Sequence, residues 1–268
     1  MNFSMPPVVK NLLIINIIFF MAQQLLPNGE AFTNALALHY WGSDQFRIYQ
    51  LITYMFLHGS ISHLFFNMFA LWMFGRIVEY DISSKRFLTF YMVCGIGAAL
   101  FNMLVVELQV MDVKGAISAF VNTPTPSGLS DLASTKLPGL KHYMIGAQDF
   151  ATYVDAWQLS PNSASLTAGA VELVNTAFLQ QIDSITVGAS GAIFGILLAF
   201  GMMHPNDRIM LLIPPIPMKA KYFVIGYGVI ELFSGFIDSG GNIAHFAHVG
   251  GMLWGWLLLV YWKKRRLL

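Results

Sequence analysis

The sequence contains few charged residues and a single cysteine. Only 11% of its 268 residues are Asp, Glu, Lys or Arg, whereas an average soluble domain contains roughly 25%. The lone Cys94 can form neither an internal disulfide nor a cysteine-rich metal site. A formal net charge of +1 provides no overall field that would attract polyanions. These shortages exclude disordered, collagen-like and nucleic-acid-binding proteins, and they argue against an ordinary water-soluble globule.

Apolar residues, in contrast, make up 56% of the chain, and the mean hydropathy is +0.60. This surplus is too large for one water-soluble core and indicates that part of the chain faces lipid. A helix that crosses the bilayer needs about 20 mostly apolar residues, because its backbone polar groups must pair internally. Six segments, some of them short, are predicted to cross: residues 8–26, 61–80, 87–108, 187–203, 222–237 and 243–262.

The basic residues predict that both termini are cytoplasmic, because cytoplasmic loops carry an excess of Lys and Arg. With the N-terminus inside, the inner side receives Lys10, Lys85, Arg86, Arg208, Lys219, Lys221 and the run Lys263, Lys264, Arg265 and Arg266. The outer side keeps only Arg47, Lys114, Lys136 and Lys141. An odd number of spans would misplace one of the basic ends, so six spans fit better than five or seven. We expect a multi-pass protein of a cell membrane, of the bacterial inner-membrane type.

Residues 1–268 are predicted to form one membrane domain that contains an extracytoplasmic insertion at 109–184. The insertion is rich in Ser, Thr, Pro, Ala and Gly. Turns are predicted at 123–128 and 159–162, and a short amphipathic helix at 168–181. Long structureless loops are uncommon in compact domains, so we expect partial order. Two roles remain open: the insertion covers the site or selects substrates, or it is a tolerated surface addition.

Three predicted spans begin with polar residues that are costly in lipid and therefore indicate a site. The second carries His63 and Asn67, which are four residues apart and share one helix face. The fourth begins with Ser190 between glycines, and the sixth carries His248. Because these spans all run from outside to inside, the polar residues lie within about two turns of the outer ends. Equal depth on three helices favours one shared, water-accessible site.

The residue types suit nucleophilic catalysis. A serine hydroxyl becomes a nucleophile when a base takes its proton, and neutral imidazole suits that task near neutral pH. Ser190 and His248 could form such a pair. The glycines beside Ser190 allow close approach, and the free N–H groups at a helix N-terminus favour an anion. Asn67 and His63 could add side-chain donors to an oxyanion hole.

Each motif also has a less specific interpretation. A Gly-x-Ser-Gly segment in an apolar helix is usually a packing surface of small residues, and a single intramembrane His or Asn is often an interhelical hydrogen-bond partner. We expect His58 and His245 to be structural or to support the site indirectly. No HExxH motif and no carboxylate accompany the histidines, so we predict no metal and no other cofactor.

Taken together, these clusters resemble the motifs of the rhomboid family of intramembrane serine proteases. Residues 188–191, Gly-Ala-Ser-Gly, resemble its Gly-x-Ser-Gly nucleophile motif, and residues 247–251, Ala-His-Val-Gly-Gly, resemble its Ala-His motif. The remaining matches are the His-x-x-x-Asn oxyanion pair at His63 and Asn67, the Gly-x-x-x-Glu signature at Gly75 and Glu79, and the contact between helices four and six at Gly251 and Gly255.

The resemblance implies an all-α, polytopic bundle of six transmembrane helices. The extracytoplasmic insertion between helices 3 and 4 is a departure from the family pattern. It implies that Ser190 is the nucleophile, that His248 is the general base, and that His63, Asn67 and the Ser190 N–H stabilise the oxyanion. Supporting positions are Gly188, Gly191, Phe194, Gly251 and Gly255. The implied substrates are transmembrane segments of membrane proteins in the lipid bilayer.

Two positions depart from the family pattern. Phe46 precedes Arg47 in the loop before span two, where the family usually has Trp, and Thr53 follows later. Phe194 stands where some relatives stack a tyrosine on the histidine, so the ring is kept and the hydroxyl is lost. Neither change touches Ser190 or His248, so we expect activity to survive both.

Three other functions fit parts of the pattern. The main alternative is an inactive rhomboid-like protein that binds membrane proteins for quality control, but intact Ser190 and His248 argue against it. A transporter would carry polar groups through both halves of the bilayer, whereas these cluster in the outer half, apart from Glu79. A serine-dependent lipid hydrolase would use the same pair of residues, and a panel of lipids and transmembrane reporters would separate it.

Overall fold

The computed structural model describes residues 5–145, 148–210, 216–237 and 244–266, which are mostly helical. The chain divides into two compact units. The first unit consists of Met1–Trp41, Gln45–Leu104 and Ile185–Leu268. The second consists of Gly42–Asp44 and Val105–Ser184, a range that includes the predicted insertion.

The secondary structure elements follow one another as helices with two short hairpins. In chain order they are α1 (Pro7–Leu25), α2 (Gly29–Leu36), α3 (Gln50–Thr53), a 3-10 turn (Tyr54–Phe56), α4 (Ile61–Ala70), a π-helical segment (Leu71–Gly75), α5 (Arg76–Ile82), α6 (Ser84–Asn122), α7 (Pro126–Thr135), a 3-10 turn (Pro138–His142), β1 (Met144–Ile145), β2 (Gln148–Asp149), α8 (Phe150–Leu159), α9 (Ala164–Ile182), α10 (Ser190–Met203), β3 (Arg208–Met210), β4 (Pro217–Lys219), α11 (Ala220–Ile237) and α12 (Ala244–Lys264).

Within the described residues, three helical stretches are long and apolar enough to cross a membrane. They are Pro7–Leu25, Ile61–Ile82 and Ser84–Asn122, and they contain most of the first three predicted spans. Helix α10 is also apolar but has only 14 residues. At 1.5 Å per residue it extends about 21 Å, less than the roughly 30 Å of a hydrocarbon core. The predicted sixth span begins at Ile243, which lies outside the described residues.

Several boundaries differ from the predicted ones. Helix α6 continues to Asn122, well beyond the predicted end at 108. The predicted turn at 123–128 is wrong in its second half, because α7 begins at Pro126. There the Thr125 hydroxyl accepts a hydrogen bond from the Gly128 N–H at 3.0 Å, and proline at the first helical position loses no backbone bond. The two antiparallel hairpins, β1–β2 and β3–β4, add short strands to the predicted all-α fold.

The second unit has an apolar core of its own. Its predicted amphipathic segment, 168–181, lies within α9, which begins after an N-cap at Ser163. The buried residues come from the end of α6, from α7, α8 and α9, and from the 3-10 turn Pro138–His142. They include Ile117, Phe120, Leu129, Leu132, Leu140, Trp157, Leu173 and Val174. Residues 42–44 are tied to this unit by a hydrogen bond from the Ser43 hydroxyl to Asp183 at 2.6 Å. The predicted insertion is therefore part of an ordered unit.

In the first unit, a buried carboxylate joins α5 to the start of α1. Glu79 is 2% exposed, and its two oxygens accept hydrogen bonds from the N–H groups of Val8 at 3.0 Å and Val9 at 2.8 Å. The Ser84 hydroxyl donates to the same carboxylate at 2.6 Å. A helix N-terminus has unpaired N–H groups and a positive dipole end, so the carboxylate caps α1.

We predict that Glu79→Ala destabilises the fold by about 2–3 kcal/mol, because it leaves these donors without their charged acceptor. The measurement is thermal or denaturant unfolding of the protein in detergent micelles. Glu30→Gln, at an exposed position in the first turn of α2, is the matched control and should leave the free energy of unfolding nearly unchanged. Equal stability of the two variants would contradict the capping role.

Candidate active site

Ser190 and His248 are in direct contact. Ser190 is the first residue of α10, and His248 lies in the second turn of α12. The Ser190 Oγ and the His248 Nε2 are 2.8 Å apart, which is a hydrogen-bond distance. With the neutral imidazole accepting at Nε2, the hydroxyl donates to the nitrogen that could remove its proton.

Glycines bring the two helices close enough for this contact. A Cβ on Gly251 of α12 would overlap the Gly191 carbonyl oxygen and stand 3.2 Å from the Gly191 Cα. One turn further along both helices, a Cβ on Gly255 would stand 3.2 Å from the Gly195 Cα. The backbones of α10 and α12 are therefore packed against each other, as small residues allow between apolar helices.

The backbone before Ser190 adopts a conformation that favours glycine. Gly188 has a φ angle of 128°, which residues other than glycine rarely adopt. A Cβ there would stand 3.0 Å from the His63 Nε2 and 3.6 Å from the Ser190 Oγ. Gly188 thus leaves open the space between the His63 ring and the Ser190 hydroxyl.

Helix α4 carries the two predicted oxyanion donors. Its N-cap, Ser60, accepts a hydrogen bond from the His63 N–H at 3.1 Å, and Asn67 follows one turn after His63. Asn67 is 7% exposed, and its Nδ2 has no hydrogen-bond partner among the described residues. Neither His63 nor Asn67 makes a hydrogen bond to Ser190 within that part of the chain. A buried, unsatisfied N–H donor is costly and is available to a developing oxyanion.

The segment that leads into α10 is fixed by backbone hydrogen bonds. Leu38 and Thr186 pair through both of their N–H groups, at 3.0 and 2.9 Å. The Gly188 N–H donates to the Tyr54 carbonyl at 2.9 Å, and the Tyr54 hydroxyl donates to the Gly95 carbonyl at 2.7 Å. At the end of α3, the Thr53 hydroxyl donates to the Leu36 carbonyl at 2.6 Å. These bonds hold the start of α10 in place.

Aromatic stacking holds the plane of the His248 ring. The Phe194 ring lies parallel to it, with a centroid distance of 4.1 Å and an interplanar angle of 8°. Phe194 itself contacts Tyr227 of α11, with ring centroids 5.0 Å apart. The predicted supporting position of Phe194 therefore has a direct contact with the histidine.

Glu231 of α11 belongs to the candidate site by its contacts, although the sequence did not lead us to predict it. Its Oε2 accepts hydrogen bonds from the Nδ1 atoms of His248, at 2.8 Å, and His245, at 2.6 Å. The side chain is buried, at 6% exposure. The expectation that no carboxylate accompanies the histidines was therefore wrong. The available signal was an ionisable residue inside a predicted span, 222–237, which indicates a functional site by default.

The geometry around Glu231 is that of hydrogen bonding. Glu231, His245 and His248 form a group of the kind that can bind a metal ion. Two ligands of a tetrahedral zinc, each bound at about 2.0 Å, would be about 3.3 Å apart. The oxygen–nitrogen distances of 2.6 and 2.8 Å are shorter than that separation. These atoms would have to move apart to bind zinc.

His58 and Gly75 make packing contacts with neighbouring side chains. His58 is buried beside His63, with ring centroids 5.1 Å apart, and its ring nitrogens have no partner among the described residues. Gly75 lies where a Cβ would meet Leu71, Val9 and Phe87.

The Rhomboid domain family model matches residues 45–122 and 161–265, which is more than half of the chain. Together with the apolar helices, this match identifies an integral membrane protein. The chain belongs to the rhomboid family. Residues 123–160 lie between the two matched segments.

Two relatives match shorter stretches. The chain is similar to Rhomboid protease GluP of Bacillus subtilis (strain 168), with 37% identity over 79 residues, or 30% of this chain and 12% of that protein. It is also similar to Rhomboid-like protein 11, chloroplastic, of Arabidopsis thaliana, with 32% identity over 72 residues, or 27% of this chain and 26% of that protein. These alignments span about a quarter or less of either relative's length.

We predict that Gly251→Ala lowers the free energy of unfolding by about 1–3 kcal/mol, because the new methyl group must push α10 and α12 apart. The same movement should lengthen the contact between Ser190 and His248. Unfolding in micelles and labelling by a serine-directed probe measure the two effects. Gly226→Ala in α11 is the control, since a Cβ there meets nothing within 4 Å. Wild-type stability and labelling of Gly251→Ala would contradict the close packing.

Proposed function

We propose that the protein is an intramembrane serine endopeptidase that cleaves transmembrane segments of membrane proteins. The observation that carries this proposal is the 2.8 Å contact between the Ser190 hydroxyl and the His248 imidazole in a rhomboid-family chain. No cofactor is needed for this chemistry, because the base and the nucleophile are both side chains.

The reaction begins when the His248 Nε2 takes the Ser190 proton as the Ser190 oxygen attacks the scissile carbonyl carbon. The tetrahedral intermediate collapses when its carbon–nitrogen bond breaks and His248 passes the proton to the leaving amine. The acyl group remains on Ser190 as an ester. Water, deprotonated by His248, then attacks the ester, and the proton returns to the Ser190 oxygen as the new carboxyl terminus leaves.

The negative charge on the tetrahedral intermediate needs donors that are already in place. Ser190 begins α10 after Ala189, and no side chain among the described residues caps this end of the helix. The first N–H groups of an α-helix have no partner within the helix, so they can donate to an oxyanion. The unpartnered Nδ2 of Asn67 and the His63 ring provide side-chain donors from α4. One donor of this kind typically contributes about 10²–10³-fold to the rate.

A helical substrate must unwind before it reaches Ser190. Its carbonyl groups are engaged in internal hydrogen bonds, so residues that weaken helices, such as Gly and Pro, favour cleavage nearby. Water must enter from the outer side, because the predicted topology places the N-terminus of α10 there. The short length of α10 allows its N-terminus to lie below the outer membrane surface while its C-terminus reaches the inner one.

We predict that Ser190→Ala and His248→Ala each reduce labelling by a fluorophosphonate probe and cleavage of a transmembrane reporter by about 10³-fold or more. Ser130→Ala in α7 and His204→Ala after α10 are the matched controls and should retain both. A panel of lipid esters is assayed in parallel.

The outcomes separate the competing functions. No labelling and no cleavage by the wild type would favour a non-catalytic binding protein. Ser190-dependent hydrolysis of lipid esters without cleavage of the reporter would favour a lipid hydrolase.

We also predict the orientation of the chain. In intact cells, a membrane-impermeant maleimide should label Lys141→Cys in the insertion, and it should label Lys264→Cys at the end of α12 only after permeabilisation. The native Cys94 is buried, so it should give little background. The reverse pattern would contradict cytoplasmic termini.

A further inference from the structure

We propose that Glu231 is a positioning residue of this active site, which holds His248 in the tautomer that can accept the Ser190 proton. The Ser–His pair would then operate as a Ser190–His248–Glu231 triad built from three helices. This inference rests on the proposed function, because the role of Glu231 is to orient the general base.

The two ring nitrogens of His248 have different partners. Nε2 is 2.8 Å from the Ser190 Oγ, and Nδ1 is 2.8 Å from the Glu231 Oε2. An ionised carboxylate has no proton to donate, so Nδ1 must carry the hydrogen in this contact. A neutral imidazole has only one N–H group, so its Nε2 is left as the acceptor. The carboxylate therefore selects the form of His248 that can act as a base.

The stacked Phe194 cannot make this selection. Its parallel ring restrains the plane of His248 at 4.1 Å. A rotation of the imidazole by 180° about its Cβ–Cγ bond would return the ring to the same plane and preserve the stacking, while moving both nitrogens. Among the described residues, Glu231 is the hydrogen-bond partner of Nδ1, so this bond is what resists the rotation.

His245 holds the carboxylate in position. Its Nδ1–H donates to the same Oε2 at 2.6 Å, so the oxygen accepts from two imidazoles on consecutive turns of α12. A buried carboxylate is costly unless its charge is compensated by donors. When His248 takes the Ser190 proton, the imidazolium forms next to this carboxylate, and the attraction between them stabilises the charged state.

The experiment compares Glu231→Gln with the wild type in detergent micelles or liposomes. We expect kcat for a transmembrane reporter to fall by about 10²-fold or more, with KM changed by less than about threefold, because tautomer selection acts on the chemical step. Labelling by a fluorophosphonate should slow in parallel. His245→Ala should lose less activity, since the bond between Glu231 and His248 remains.

Glu79→Gln is the matched control. It removes another buried carboxylate, one that caps α1, so it should reduce stability and leave the labelling rate of folded protein unchanged. Thermal unfolding of Glu231→Gln shows whether its loss of activity comes from misfolding.

A second measurement reads the tautomer directly. Labelling with ¹⁵N-histidine reports by NMR which ring nitrogen carries the proton, and His248→Ala identifies the signals of His248. We expect the proton on Nδ1 in the wild type and a shift toward Nε2 in Glu231→Gln. A purely structural role would leave the tautomer unchanged.

The outcomes distinguish this inference from the proposed function. A reactive wild type with an equally reactive Glu231→Gln variant, or with an unchanged His248 tautomer, overturns the role of Glu231 alone. A folded wild type that neither labels nor cleaves overturns both.

Discussion

The geometry of the candidate active site depends on the backbone contact between α10 and α12. Gly191 and Gly195 of α10 lie against Gly251 and Gly255 of α12, and a Cβ on Gly251 would overlap the Gly191 carbonyl oxygen and so force the helices apart. Ser190 directly precedes the first of these glycines, and His248 lies one turn before Gly251. The distance between hydroxyl and imidazole is therefore set by the distance between two backbones. Packing of small residues thus contributes both to helix association and to the contact on which the proposed chemistry depends.

The parts of the site that could be predicted from the sequence are those encoded by local spacing. His63 and Asn67 are one turn apart, and Ser190 lies between glycines, so these residues can be recognised as site candidates from the sequence alone. The length of α6, in contrast, could not be predicted from local spacing. It continues past 108 because residues such as Ile117 and Phe120 pack in the core of the second unit, and that core depends on segments distant in sequence.

Glu231 illustrates the limit of local patterns. When an apolar helix contains a single acidic residue, no sequence spacing identifies the residue that it will contact. Its partners, His245 and His248, lie on the next helix of the chain, and they are selected by how α11 packs on α12. Intramembrane charge indicates that a partner exists, but it does not identify which histidine is contacted or through which nitrogen.

Glu79 and Glu231, both buried in the first unit, satisfy the same energetic requirement with different donors. Removing a carboxylate from water is costly, so each needs hydrogen bonds that compensate its charge. Glu79 accepts from backbone N–H groups of α1, which keep their protons, and this suits a permanent structural link. Glu231 accepts from imidazoles, whose protonation changes when a base acts. The titratable donors of Glu231, inside an apolar helix, support the proposed role of this carboxylate in positioning His248.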